Sequence, residues 1–275
     1  MRRLFVLIYS LFYFFNVFSQ DTVSVKSPNF VKPLLDKIVS EYNDNNDRKI
    51  VIEYLKPNLV SRLTTIEIKL DEKENDLTFG QYIVVPFTTK NSVLFRKNKR
   101  FSKKQITELF FIDSSLDFEE EGKHTFDEVN VYTSLSKQSG SKVYAKVLDK
   151  EDNEYRGKRI SGDDKFINNA LLKDNNGVGI TSLSNIFDPE KKSLIEDYRL
   201  IQVESNKEIV NAILDSDFET VFKILETKEI ELLPTRNIGI DYDSNNSVSK
   251  NFVNFFLAHA KNYLHDYGMI QKHHD

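Results

Sequence analysis

The sequence predicts an α/β fold, in which strands and helices alternate along the whole chain. Short apolar or alternating segments of strand length recur between segments whose apolar residues have helical spacing. The chain has 275 residues, 40% of them hydrophobic, which is enough for the core of one large domain or two modest ones. No stretch rich in Pro, Gly or Ser separates successive domains. The alternation favours largely parallel sheets covered by helices, and two lobes would have to be connected within ordered segments.

The N-terminal segment, residues 1–19, is predicted to be a secretory signal peptide rather than part of the fold. Arg2 and Arg3 precede an uncharged apolar run over residues 4–18, and cleavage is predicted after Ser19. The run is shorter than the ~20 apolar residues that span a membrane, so an uncleaved anchor is the less favoured alternative. The chain contains no cysteine, which excludes disulfides and lipid attachment through an N-terminal cysteine. The predicted location is the periplasm or the extracellular medium.

The composition argues against nucleic acid as a partner. The formal net charge is -4, charged residues make up 29% of the chain, and the mean hydropathy is -0.44. Because a phosphate backbone requires a basic surface, no nucleic-acid binding is predicted.

The N-terminal half is predicted to open with a strand over residues 22–25 and a helix over residues 31–42. Three more strands are predicted at 49–55, 63–70 and 81–87. The last of them is continuously apolar, so it is predicted to be central in its sheet and covered on both faces.

The rest of the chain continues the alternation. The helix over residues 101–111 carries a capping-box pair, Ser102 and Gln105, at its start. The segment 175–177, Asn-Asn-Gly, is a signal for the end of a helix. The remaining predicted elements are strand 129–133, helices 143–148 and 162–174, strands 177–184 and 198–203, helices 208–214 and 220–226, strand 230–234, and helix 248–267.

One short motif is a candidate binding site. Ser139-Gly140-Ser141 follows the strand at 129–133 and lies where the next helix should begin. A helix start leaves backbone N–H groups without partners and carries partial positive charge. A capping serine, an accessible glycine backbone and a second hydroxyl would therefore offer several donors to phosphate, sulfate or carboxylate. A capped helix after a turn explains the same residues without a ligand.

Five segments, in the same order along the chain, carry a resemblance to a known family. They are residues 27–34 around Pro28-Asn29-Phe30, the helix over 100–111, Ser139-Gly140-Ser141, the strand in 175–184, and the closing helix over 251–270. Together they resemble the phosphate-binding periplasmic proteins of ABC transporters, which are type II periplasmic solute-binding proteins. Ser139-Gly140-Ser141 is similar to the Ser-Gly-Thr phosphate motif of that family.

The resemblance implies a two-lobed α/β fold with the ligand in an interlobe cleft. One lobe would contain residues 20–86 and 185–275, the other residues 87–184, with crossovers near 85–87 and 179–182. Asn29, Phe30, Ser139, Gly140 and Ser141 match the family positions that contact phosphate. Two family residues are not recognisable: the Arg that precedes the Ser-Gly-Thr motif, and the Asp that accepts a proton from bound phosphate.

The function that the resemblance implies is binding rather than catalysis. The predicted ligand is a phosphate-like oxyanion, and the predicted partner is the membrane permease of an ABC transporter. The alternative is a degenerate binding-protein fold that serves as an interaction component of an envelope assembly and holds no small ligand. No cofactor and no metal are predicted, because the histidines lack ligand spacing and no P-loop, dinucleotide fingerprint or nucleophile elbow occurs.

Overall fold

The computed structural model describes residues 20–55, 66–70, 77–96, 100–112, 126–136 and 139–271. The predicted signal peptide lies outside these residues.

The strands within these ranges follow the sequence pattern in most places. They are β1 (Asp21–Lys26), β2 (Ile50–Tyr54), β3 (Ile66–Leu70), β4 (Thr78–Thr89), β5 (Asn130–Ser134), β6 (Lys158–Ile160), β7 (Gly177–Ser182), β8 (Phe187–Asp188), β9 (Ser193–Leu194), β10 (Tyr198–Leu200), β11 (Thr235–Tyr242) and β12 (Met269–Ile270).

The α-helices of the described residues lie between these strands. They are α1 (Lys32–Asn45), α2 (Lys103–Phe110), α3 (Gly140–Val147), α4 (Asp164–Leu171), α5 (Lys207–Leu214), α6 (Phe218–Leu225) and α7 (Ser247–His259).

Ten strands form one mixed sheet in the order β2-β1-β3-β11-β4-β7-β5-β6, with β10 and β12 also paired to β4. The pairs of β1 with β2 and β3, and of β5 with β6 and β7, are parallel. Every pair that includes β4 or β11 is antiparallel. The prediction of largely parallel sheets is therefore wrong, because apolar periodicity does not report strand direction, which depends on how the chain returns to the sheet.

Strand β4 connects the two parts of this sheet. Its first half pairs with β11 up to Ile83, and its second half pairs with β7 from Val84 to Thr88. Residues 82–89 are all buried, as predicted for a central strand covered on both faces. The predicted lobe boundaries at 86/87 and 184/185 remain a prediction; the first of them falls within β4.

Helices cover both parts of the sheet through the apolar faces that the sequence predicts. In α1, Leu34, Leu35 and Ile38 are fully buried. Tyr42 at the end of α1 makes edge-on ring contacts with Phe252 and Phe255 of α7. The first and last helices of the described chain therefore pack on each other and close the core at this end.

Three boundary predictions are wrong. Residues 230–234 form a turn rather than a strand, with Leu232 and Leu233 buried, because apolar character reports burial and not extended backbone. Helix α4 ends at Leu171 rather than at 175–177, whereas Gly177 begins β7 as predicted; a Cβ at Gly177 would lie 3.2 Å from the Tyr132 ring, so this glycine serves close packing. The last predicted helix is split: α7 stops at His259, and two 3₁₀ turns lead to Gly268 at φ 68°.

The capping box at the start of α2 is confirmed. The Gln105 backbone N–H donates to Ser102 Oγ at 3.3 Å, and the Ser102 N–H donates to Gln105 Oε1 at 3.0 Å.

Replacing Ser102 by Ala should lower the free energy of unfolding by about 1 kcal/mol, because the amide at the third helical position loses its acceptor. Urea unfolding followed by circular dichroism measures this change. Ser102→Thr keeps a hydroxyl at the cap and is the matched control. Equal losses in the two variants would contradict a role for the cap.

Candidate functional site

Three strand-to-helix junctions meet at one cavity. They connect β1 to α1, β5 to α3, and β6 to α4, and the cavity has a volume of about 590 Å³. Ligands of open α/β sheets bind outside the carboxyl ends of strands, and all three junctions lie at such ends. This cavity is called the cleft below. Its lining residues are Lys26, Ser27, Pro28, Asn29, Phe30, Lys32, Leu55, Glu67, Ile68, Leu70, Leu135, Ser136, Ser139, Ser161, Gly162, Asp163, Asp164, Phe166 and Asn185.

The five residues of the predicted site take different positions around the cleft. Asn29, Phe30 and Ser139 line it, so the structure brings the two predicted segments together. The Phe30 ring packs against Tyr82 of β4 with 5.4 Å between ring centroids. Gly140 and Ser141 are buried behind Ser139.

Ser139 is the N-cap of α3. Its backbone is extended (φ -79°, ψ 150°), and its Oγ accepts from the Lys142 N–H at 3.4 Å. The sequence places a helix start here because a serine with this backbone supplies the acceptor that the first turn lacks. Ser139 is almost completely buried, and the surface that it does expose lies in the cleft.

The Gly140 backbone N–H is already engaged. It donates to Asp164 Oδ2 at 2.9 Å. A Cβ at this position would lie 3.1 Å from the same oxygen and 3.1 Å from Val84 Cγ1 of β4. Glycine therefore allows α3 to approach Asp164 and the central strand closely, which is a packing role different from the predicted access for a ligand.

Ser141 faces strand β5 rather than the cleft. Its Oγ accepts from the Ser134 N–H at 3.4 Å, and its carbonyl accepts from the Tyr155 hydroxyl at 2.6 Å. These bonds hold the start of α3 against β5, so Ser141 supports the position of Ser139.

Asp164 is the buried carboxyl group of the cleft. Burial raises its pKa to about 7, with the Asp163 charge adding to the rise and the Gly140 N–H opposing it. Oδ1 of Asp164 has no hydrogen-bond partner among the described residues. The Asp164 carboxyl group therefore lies beside the N-terminus of α3, where the sequence pattern predicted a bound anion.

Asp163 connects the two sides of the cleft. It caps α4, because its Oδ1 accepts from the Lys165 N–H at 2.9 Å. Its Oδ2 accepts from the Asn29 side-chain amide of the β1–α1 junction. A side chain of the predicted site is therefore bound directly to the facing junction.

The charges of the cleft do not add up to a basic site. Lys26 is paired with Glu67 at 2.7 Å, and the Lys32 Nζ lies 4.8 Å from the centroid of the Tyr54 ring. Two lysines face three carboxyl groups among the described lining residues, and no arginine lines the cleft there. The resemblance implies an arginine before Ser139-Gly140-Ser141, and this sequence has none there. No arginine from another part of the described chain lines the cleft instead.

Apolar side chains line the rest of the cleft. Leu135 and Phe166 are 49% and 53% exposed and lie in the same cleft. The other apolar members are Phe30, Leu55, Ile68 and Leu70. No histidine lines the cleft in the described part of the chain, so Ser139 has no neighbouring imidazole base there.

Sequence reasoning missed the β6–α4 junction. The pair Asp163-Asp164 suits the start of a helix by its charge alone, and the strand before it, Lys158–Ile160, is short and polar, so local patterns do not place this junction at a cleft. A usable signal was present: Ser161 and Gly162, followed by two aspartates, repeat the small-residue helix start seen at Ser139-Gly140-Ser141.

None of the helices in the described ranges has the length and apolar character needed to cross a bilayer. No protein-family model matches this sequence, and no curated protein matches it either.

Solved structures do match. A protein from Clostridium perfringens assigned as a phosphate ABC transporter substrate-binding protein, with phosphate bound, superposes with a TM-score of 0.63 at 14% identity, over 91% of this chain and 99% of that chain. An ABC-type phosphate transport receptor from Vibrio cholerae has a TM-score of 0.51 at 13% identity, over 91% of this chain and all of that chain (100%). The chain therefore has the fold of these two proteins, a two-lobed α/β fold of the type II periplasmic-binding-protein kind.

Proposed function

We propose that this chain is an extracytoplasmic solute-binding protein that holds a solute with a phosphate-like oxyanion group in the cleft and presents it to the permease of an ABC transporter. The convergence of three strand-to-helix junctions on one cavity carries this proposal. We further propose residues 20–86 with 185–275 and residues 87–184 as the two lobes. The activity is binding, not catalysis.

The polar groups of the cleft suit an oxyanion group. Four serines line the cleft: Ser27, Ser136, Ser139 and Ser161. Hydroxyl groups donate hydrogen bonds without adding charge. Lys32 adds a cation from the first turn of α1.

The experiment is a thermal-shift screen of the purified protein with phosphate, sulfate and carboxylates. A ligand that binds only the folded state raises its stability by about 3 kcal/mol at 100 times its Kd. Lys32→Gln should weaken the shift produced by an anion, whereas Lys228→Gln, at an exposed lysine outside the cleft, should not. Equal shifts in the two variants, or no shift with any anion, would contradict the proposal.

A second candidate is a protein-interaction component with no small ligand. Two contacts favour it: Asn29 is bound to Asp163 across the cleft, and Asp164 takes the Gly140 N–H. Native mass spectrometry of the protein purified from its own host tests this alternative. A retained partner chain without a retained small molecule would support it, and a retained small anion would contradict it.

A further inference from the structure

We infer that the solute is an organic acid with one negative charge and an apolar body, rather than an inorganic oxyanion. The inference rests on the proposed function and names its ligand class. Three features of the cleft support it: its volume, its exposed apolar side chains and its charge.

The volume of the cleft exceeds what an inorganic ion fills. Cavities of about 300–1,000 Å³ are typical of organic ligands, and the cleft measures about 590 Å³. A tetrahedral oxyanion takes up little more room than a few water molecules, each about 30 Å³. An inorganic ion would leave most of the cleft to water, in contact with apolar walls.

The exposed apolar side chains lie where they would contact the body of such a ligand. Leu135 belongs to the β5–α3 junction and Phe166 to the first turn of α4, and both line the cleft with about half of their surface exposed. The Phe166 ring lies against Gly162, where an added Cβ would be 2.6 Å from it. Ile68 and Leu70 of β3 line the same cleft. Burying the exposed surfaces of Leu135 and Phe166 against a ligand removes apolar surface from water.

The charge of the cleft disfavours a second negative charge on the ligand. Lys26 is paired with Glu67, whereas no carboxylate of the described residues lies at salt-bridge distance from Lys32. Asp163 and Asp164 lie on the other side. A dianion would bring a second negative charge towards these carboxyl groups with no further cation to balance it, whereas a monoanion is matched by Lys32.

The test is isothermal titration calorimetry with a series of straight-chain carboxylates from acetate to octanoate, with inorganic phosphate and with hexanol. We expect affinity to rise with chain length, by up to about fourfold for each added methylene group. Leu135→Ser should flatten this rise, with a loss of affinity that grows from acetate to octanoate. Leu172→Ser is the matched control, because Leu172 is 48% exposed and lies outside the cleft.

The outcomes separate the two proposals. Phosphate binding tighter than every carboxylate, or affinity independent of chain length, would overturn the organic-acid inference and leave oxyanion binding standing. Hexanol binding as tightly as hexanoate would overturn the oxyanion function itself. A chain-length dependence that Leu135→Ser and Leu172→Ser change equally would show that the apolar contact lies elsewhere and would also overturn the inference.

Discussion

Replacing Asp164 by Asn should stabilise the protein above pH 7 and remove much of the pH dependence of its stability between about pH 4 and 7. Asp164 is 7% exposed, and burial raises its pKa from 3.8 to about 7. Its Oδ2 accepts from the Gly140 N–H, and Asn retains an oxygen for this bond. The variant lacks the Asp164 carboxylate charge, which is poorly solvated in this buried position.

The direction follows from the proton affinity of the two states. The folded protein holds the Asp164 proton more tightly than the unfolded chain, so this group's contribution to stability is fully present below pH 3.8. As the pH rises, the unfolded chain ionises first, and the contribution is lost progressively until the folded group also ionises at about pH 7. The whole loss is at most about 4 kcal/mol, since one pKa unit corresponds to about 1.4 kcal/mol.

Urea unfolding at pH 4.5, 6 and 8 measures the difference between Asp164→Asn and the unmodified protein. We expect a gain of about 2 kcal/mol or more at pH 8 and about 1 kcal/mol or less at pH 4.5. Asp163→Asn is the control, because Asn also caps a helix and Asp163 is only partly buried. A stability difference for Asp164→Asn that does not change with pH would refute the assigned role of this carboxyl group.

Replacing Gly157 by Ala should cost about 3 kcal/mol or more. Gly157 has φ 87°, a conformation that costs an L-residue energy, and an added Cβ would lie 2.3 Å from the Val131 carbonyl oxygen. That oxygen belongs to β5, so the clash is with backbone and cannot be relieved by turning a side chain. Relief requires β6 to move away from β5, and β6 leads directly to Asp163 and Asp164.

Thermal unfolding measures this loss, and each kcal/mol lowers the Tm of a protein of this size by about 2–4 °C. Gly162→Ala is the matched control: its φ is 115°, but the added Cβ meets the Phe166 ring, which is 53% exposed and can turn aside. The control should therefore lose less. A loss for Gly157→Ala no larger than that of Gly162→Ala would contradict the backbone clash.

Features fixed by local sequence were predictable from it. The capping box of α2 and the helix start at Ser139 involve residues three apart, and both are observed. The continuous apolar run of β4 marks burial on both faces, and the strand is central. The resemblance placed Asn29 and Ser139 on facing sides of one cleft, which local patterns cannot do; both line it.

Features that arise from long-range packing were not predictable in this way. Strand β11 contains Asn237 and Gly239, which are poor strand formers, and it is held by hydrogen bonds to β3 and β4 on either side. Strand β6 has only three residues, and its pairing partner is β5. Asp164 is bound by Gly140, which belongs to a different strand-to-helix junction. Its burial therefore depends on a contact between segments that are distant in the sequence.

The position of β11 between β3 and β4 has a consequence for synthesis. The ribosome synthesises β3 and β4 long before residues 235–242, which form β11. Until β11 emerges, the nascent chain therefore carries one unpaired edge on β3 and one on β4. Such edges readily pair with other polypeptides, and contacts between distant segments form slowly. A translation product that stops before Thr235 therefore lacks the strand that joins β3 to β4, and both strand edges stay open to other polypeptides.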